Sequence, residues 1–291
     1  TTEDQLYELT GITRDGEITM TALLLFGLYP QAYYPQLSIN ATCVPGNEMG
    51  IVDGMGNRFT DTRHIEGTLS DMLDEALIFV RKNMRVATKI DAATGKRIDI
   101  PQYPMDAVRE AILNALVHRD YSFHTETSPI ALRLFCDRLE IENPGGLYGR
   151  MTLDLLGRMS ADTRNPFIAI GMEVLAQAEN RFSGIPTIRR LMKEAELPAP
   201  RFETYRGIFK ATLFSKKESA IKPMPTGDLR ERVLDFCKTP RSRKDLEMAF
   251  SEITIVHLMN RTIKPLISEG RIELTMPDKP KSKFQKYFTK Q

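Results

Sequence analysis

Residues 105–121 read MDAVREAILNALVHRDY, and residues 138–147 read RLEIENPGGL. In a helix, Glu110 and Asn114 are four positions apart and share one stripe. Val108, Ala111, Ile112, Ala115 and Leu116 fill the opposite side, with Leu113 and Val117 flanking the stripe. A helix that is apolar nearly all round is buried, so a carboxylate and an amide on it need something to bind. A magnesium ion and a polarised water suit that pair of groups.

The pattern E-x-x-x-N on a helix, followed after a strand by N-P-G-G-L, resembles the GHKL, or Bergerat-type, ATP-binding fold. The run EAILNALVHRDY before NPGG resembles more closely the RecG-helicase-related transcriptional regulator family. The likeness extends through RNPFIA (164–169), SGIPTIRRLMKEAELPAPRF (183–202) and KPKSKFQKYFT (279–289). The resemblance implies an α+β chain: a GHKL-like two-layer α/β sandwich, preceded by part of a Schlafen/Alba-like domain and followed by a winged helix-turn-helix. It makes Glu110 the water-activating base and Asn114 the ligand of a phosphate-bound magnesium, a division of labour that suits phosphoryl transfer. It places ATP against His118, Asn143, Gly145, Gly146, Ser183 and Gly184. Two positions depart from the family's ATPase pattern. Where that pattern has the aspartate that accepts the adenine amino proton, this chain has Asn143, whose amide oxygen still accepts one hydrogen bond. Where a G-T-G-I box is usual, it has Phe182-Ser183-Gly184-Ile185, and phenylalanine denies the close backbone approach that glycine gives to phosphate.

The chain has 291 residues, 42% of them hydrophobic, enough for two or three domains with real cores. The net charge of +2 is unevenly spread: residues 221–291 hold 15 Lys and Arg against 9 Asp and Glu, and the remainder holds 25 against 29. That asymmetry points to an anionic partner for the C-terminal part. Cys43, Cys136 and Cys237 are far apart and lack metal spacing, so they read as reduced, buried thiols. The longest apolar run, MTALLLFGLY at 20–29, is half of the roughly twenty residues that a membrane span needs. With no secretory signal, a cytoplasmic location is expected.

Three territories follow. Residues 1–100 read as a short helix, a turn at Asp15-Gly16, a buried apolar helix, the strand PQLSINATCVP, and a long amphipathic helix from His64 to Met84. The TALLLFG stretch and the P-Q-x-Y-x-P-Q pattern after it resemble the C-terminal end of a Schlafen/Alba-like domain, whose first half is expected upstream of Thr1. Residues 101–218 read as the ATP-binding domain: helix 104–118, strands Ile130–Phe135 and Leu139–Glu142 joined at Cys136-Asp137-Arg138, helices Phe167–Glu179 and Ile185–Glu194, and strand Ile208–Phe214. Helices on one face of that hairpin suit a two-layer sandwich, and Tyr148–Asn165 is a candidate mobile lid.

His118-Arg119-Asp120 spells the catalytic loop of protein kinases, but Thr125 stands where the metal-binding Asn belongs and no Gly-rich loop precedes it. A kinase is excluded. Two readings of the tripeptide remain: His118 caps the helix while Arg119 and Asp120 pair locally, or His118 touches a ligand directly. The single Gly-Lys, Gly95-Lys96, lacks the rest of a phosphate-binding P-loop, which excludes a helicase motor.

Residues 219–291 read as a winged-helix DNA-binding domain, with helices Leu229–Lys238, Ser242–Phe250 and Ile253–Ser268 and wing strands Arg271–Met276 and Phe284–Thr289. Val256, Met259, Ile263, Leu266 and Ile267 take the buried side of the third helix. His257, Asn260, Arg261 and Lys264 take the open side, where they can reach base edges and phosphates. Lys279, Lys281 and Lys283 add phosphate contacts at the wing tip. The expectation is a homodimeric transcriptional regulator on double-stranded DNA, with ATP and magnesium as ligands and no membrane partner. An ATPase that drives dimer closure on DNA, and a non-catalytic interaction scaffold, are the alternatives.

Overall fold

The computed structural model describes residues 2–90, 97–125, 127–159, 162–176, 184–216, 229–250, 255–278, 282 and 285–290. By contacts the chain divides into two compact units, Thr1–Lys217 and Glu218–Gln291.

The first unit opens with α1 (Glu3–Leu9), the small hairpin β1 (Thr13–Arg14) and β2 (Glu17–Ile18), and α2 (Met20–Phe26). It continues with β3 (Ile39–Cys43), β4 (Asp61–Ile65), α3 (Leu69–Asn83), and a hairpin of β5 (Val86–Ile90) and β6 (Arg97–Pro101). Then come α4 (Met105–His118), β7 (Ile130–Leu134), β8 (Arg138–Pro144), α5 (Pro166–Leu175), α6 (Gly184–Glu194), β9 (Arg201–Tyr205) and β10 (Ile208–Phe214). The long helix expected from His64 begins instead at Leu69. Thr68 caps it, its hydroxyl accepting from the Asp71 N–H while the Asp71 carboxylate accepts from the Thr68 N–H, and His64 and Ile65 belong to β4.

Among the described residues six strands make one sheet, in the order β4-β3-β7-β8-β10-β9. β3 runs parallel to β7 and the other pairs are antiparallel. Period-2 alternation sends Ile39, Ala41, Ile130, Leu132, Leu134, Leu139, Ile141 and Leu213 into one core with Leu73, Ala76 and Val80 of α3 and Val108, Ile112 and Leu116 of α4. Residues on both sides of position 100 therefore share one sheet and one core. The opposite face carries a cluster of charges. Arg133 pairs with Glu142 at 2.7 Å, Lys210 with Glu140 at 2.8 Å, and Arg138 with Glu140 at 2.6 Å. Burial alone would raise Glu140 and Glu142, but hydrogen bonds from Lys210 and Arg138, and from Arg133 and Tyr205, hold both below the usual carboxylate range.

The second unit contains α7 (Leu229–Phe236), β11 (Arg241–Ser242), α8 (Arg243–Ala249), a helical run Ile255–Ser268, β12 (Ile272–Leu274) and β13 (Lys286–Thr289). β13 lies between β11 and β12. Val233, Cys237, Leu246, Phe250, Leu258, Ile263, Leu266 and Ile272 form its own core. The run Ile255–Ser268 is a single helix only in outline, because Met259–Ile263 forms a π turn in which the Lys264 N–H reaches the Met259 carbonyl. Pro265 supplies the reason: it has no N–H for the Arg261 carbonyl four residues back. No described helix is long and apolar enough to cross a membrane. The cysteines are all free, but Cys136 is exposed and Cys43 only half-buried, against the expectation of three buried thiols. Cys136 sits in the tight turn joining β7 to β8, beside the buried Phe135.

Candidate functional site

α4 forms because no residue inside Met105–His118 breaks it and Pro104 starts it; eight of its side chains are buried. Its polar stripe faces a cavity of about 260 Å³. The walls include Glu110, Asn114 and His118 from α4, Asn143, Gly145 and Gly146 from the end of β8, and Gly184 at the start of α6. These are positions the sequence pointed to, drawn from three separated segments into one cavity. Ser183 and Phe182 lie outside the described residues.

The Asn114 amide donates to the Glu110 carboxylate at 3.1 Å and to the Glu110 carbonyl at 2.8 Å. Burial pushes the Glu110 carboxyl above its usual range, more strongly than the Asn114 hydrogen bond and the Arg109 charge lower it. Burial lowers His118, which keeps the imidazole neutral. Gly184 packs straight onto the pair: a Cβ there would stand 2.5 Å from Glu110 Oε1 and 2.7 Å from Asn114 Nδ2. Only glycine lets the first turn of α6 come this close.

Asn143 is 3% exposed and its side-chain oxygen has no hydrogen-bond partner among the described residues. Its backbone is fixed in the ladder opposite Phe209. Gly145 has φ of +100°, and a Cβ on it would meet Asp120 Cβ at 2.6 Å and Asp120 N at 2.9 Å. The turn after β8 thus packs against Asp120, two residues past the end of α4.

His118-Arg119-Asp120 resolves differently from the local pairing expected. His118 does not cap α4, since it faces the cavity; the Asn165 side-chain amide takes the carbonyls of Val117, at 2.9 Å, and Arg119, at 2.7 Å. Asp120 pairs with Arg164, not with Arg119. Burial would raise Asp120, but hydrogen bonds from Ser122 and Arg164 hold it below the usual range. Arg119 is fully buried, donates to the Thr125 carbonyl at 3.0 Å and lies over the Tyr121 ring. Arg164 also stacks on Tyr148 at 4.9 Å and lines the cavity.

Several walls were not singled out in the sequence. Phe202 and Phe209 stack at 6.1 Å beside Ile141 and Ala211, and Tyr148, Met151 and Leu156 come from the candidate lid. In the lid, Arg150 pairs with Asp162 at 3.0 Å, and the Leu156 carbonyl accepts from Arg189 of α6 at 2.9 Å. The motif RNP, noted only as a likeness, carried the signal for Arg164 and Asn165. Phe209 becomes a wall through its register with Asn143, which single-strand periodicity does not give.

For magnesium the donor set is thin. Among the described residues no group of three or more His, Cys, Asp and Glu could hold a metal ion. Asn114 offers one neutral oxygen, which fits an ion held chiefly by the phosphates of its own ligand.

In the second unit Asn260, Arg261 and Lys264 are exposed along the helical run, and Lys264 donates to Asn260 at 2.8 Å. Met259, Ile263, Leu266 and Ile267 contribute to the core. The side chains of Val256 and His257, and the whole of Lys279, Lys281 and Lys283, lie outside the described residues.

Residues 127–213 match the family described as "Putative ATP-dependent DNA helicase recG C-terminal", an ATPase-like domain family. The match spans β7 to β10 and begins after α4. A solved structure, the DIP2311 protein from Corynebacterium diphtheriae, shares the fold with a TM-score of 0.59 and 19% identity over 85% of this chain. This chain spans 50% of the length of that one. A search of curated proteins returned no match.

Proposed function

We propose that this chain is a DNA-binding transcriptional regulator whose ATPase-like domain binds ATP with magnesium. The observation that carries the nucleotide half is the convergence of Glu110, Asn114, His118, Asn143, Gly145, Gly146 and Gly184 on one cavity, within a chain that matches an ATPase-like family. Asn143 and the Phe202–Phe209 stack suit a base, while Glu110 and Asn114 suit the phosphate end. Magnesium, when bound, neutralises phosphate charge, and the Asn114 oxygen is the protein group that would hold it. Glu110 is placed to orient and deprotonate a water. The DNA half rests on the basic balance of residues 221–291 and on the exposed Asn260, Arg261 and Lys264. It treats the second unit as a winged helix acting in a homodimer.

Titrating the full chain with ATP or a non-hydrolysable analogue, with and without magnesium, should raise its melting temperature, by an amount that grows with ligand concentration. No shift with either ligand overturns the nucleotide reading. A second reading, an ATPase whose turnover drives dimer closure on DNA, is favoured by the Glu110 carboxyl that burial raises above its usual range, a shift in the direction that suits a general base. Steady phosphate release that Glu110→Ala abolishes, with nucleotide binding kept, would select it. A scaffold would show neither ligand shift nor salt-sensitive DNA binding.

A further inference from the structure

We propose that Asn143 makes this cavity a general purine site, taking 6-oxo bases such as hypoxanthine and guanine as readily as the 6-amino base adenine. The proposal rests on the nucleotide reading and concerns which bases the site accepts. Asn143 is almost wholly buried, lines the cavity, and leaves its side-chain oxygen unpaired among the described residues. A buried amide in that state is costly until a ligand pairs with it. Its backbone is held by the β8–β10 ladder opposite Phe209, so the amide group projects from a fixed point.

What sets the base preference is which end of the amide faces the ligand. A primary amide carries an acceptor oxygen beside a donor nitrogen, and a half-turn about its last side-chain bond exchanges them. Adenine presents a 6-amino donor next to the N1 acceptor; a 6-oxo purine presents an O6 acceptor next to an N1–H donor. One orientation of the amide pairs with the first edge and the reversed orientation pairs with the second. The neighbours along β8 and β10 that share this wall, Ile141, Phe209 and Ala211, are apolar and cannot fix either orientation. The aromatic and aliphatic surface they provide accepts the face of any purine. A carboxylate at the same place could only accept, so on either edge it would pair with the one donor and face the one acceptor unpaired.

ATP and ITP isolate this edge, since they differ only at the 6-position and the N1 proton. Their dissociation constants for the full-length protein should agree within about threefold, because either edge finds a full complement of partners. Asn143→Asp should weaken ATP and ITP alike, by about tenfold or more, because a carboxylate faces one acceptor on either edge and leaves it unpaired. Its melting curve without ligand shows whether the variant is folded. A wild-type preference for ATP above roughly a hundredfold overturns the inference and leaves the nucleotide reading intact. Undiminished binding of both nucleotides by the folded Asn143→Asp protein overturns it as well. Binding of neither nucleotide to the wild type overturns both.

Discussion

Glu110 sits under two opposed demands. Burial favours its neutral form and raises the carboxyl pKa, whereas the proposed service as a base requires the anion. The sign of the consequence is fixed. A carboxyl whose folded pKa is raised stabilises the fold below its ordinary pKa, and that contribution is lost as pH rises through the folded value. At neutral pH the ionised side chain is therefore a burden, and Glu110→Gln, which keeps the shape and the Asn114 contact, should raise the melting temperature. A gain of about 1 kcal/mol would appear as about 2–4 °C in a unit of this size. The gain should shrink as the pH is lowered towards 4, where the wild-type group is protonated too. Equal melting of the two proteins at pH 7, measured calorimetrically, would show that the buried charge carries no cost. Asn114→Ala has no such compensation: it removes the amide that steadies Glu110 and the oxygen offered to magnesium. It should weaken nucleotide binding, whereas Glu110→Gln should spare binding and remove any turnover.

Between α4 and the end of the candidate lid, HRD and RNP are two halves of one joint. Asn165 closes the carbonyl end of α4, and Arg164 ties Asp120 to the Tyr148 ring and the turn at Gly145 and Gly146. The pair is mostly shielded, with side chains 21% and 17% exposed, so a double-mutant cycle on Asp120→Ala and Arg164→Ala should return a coupling of about 1–3 kcal/mol. Additive losses would mean that the two residues act separately. This joint was only half legible from sequence. HRD could be set aside as a kinase loop, yet its true partner lies 44 residues on and is brought near by folding. α4 and β10 were legible because each buries a face, and burial imposes period 3.6 or period 2. The hairpin β5–β6 was not, since its described side chains are exposed and neither face obliges an alternation. β9 follows Pro198 and Pro200 at the edge of the sheet, where only one neighbour constrains it. The start of α3 could have been read from Thr68 and Asp71, a capping box that the amphipathic stripe from His64 outweighed.

At the scale of the whole molecule, charge separates what the two units can do. The excess of acidic residues before position 221 and of basic residues after it means that a nucleic acid attracted by this protein would be drawn to the second unit. Asn260, Arg261 and Lys264 share an exposed side of the helical run, and the π turn enforced by Pro265 sets their angular spacing there. If Lys279, Lys281 and Lys283 meet phosphates, replacing all three by alanine in the full chain should weaken binding to every duplex alike. It should also flatten the slope of log K against log salt by up to about three. Asn260→Ala should behave otherwise, leaving the slope nearly unchanged and costing about 1–3 kcal/mol at one base pair only. Lys264→Ala combines the two effects, because its ammonium both carries charge and holds the Asn260 amide at 2.8 Å. It should flatten the slope by about one and relax the base preference that Asn260 sets. Fluorescence anisotropy with a selected duplex and a scrambled one, over a range of salt, separates these outcomes. A triple-alanine variant with wild-type affinity and slope would move the basic unit from DNA to a protein partner, and the Asn260 and Lys264 variants would then be silent as well.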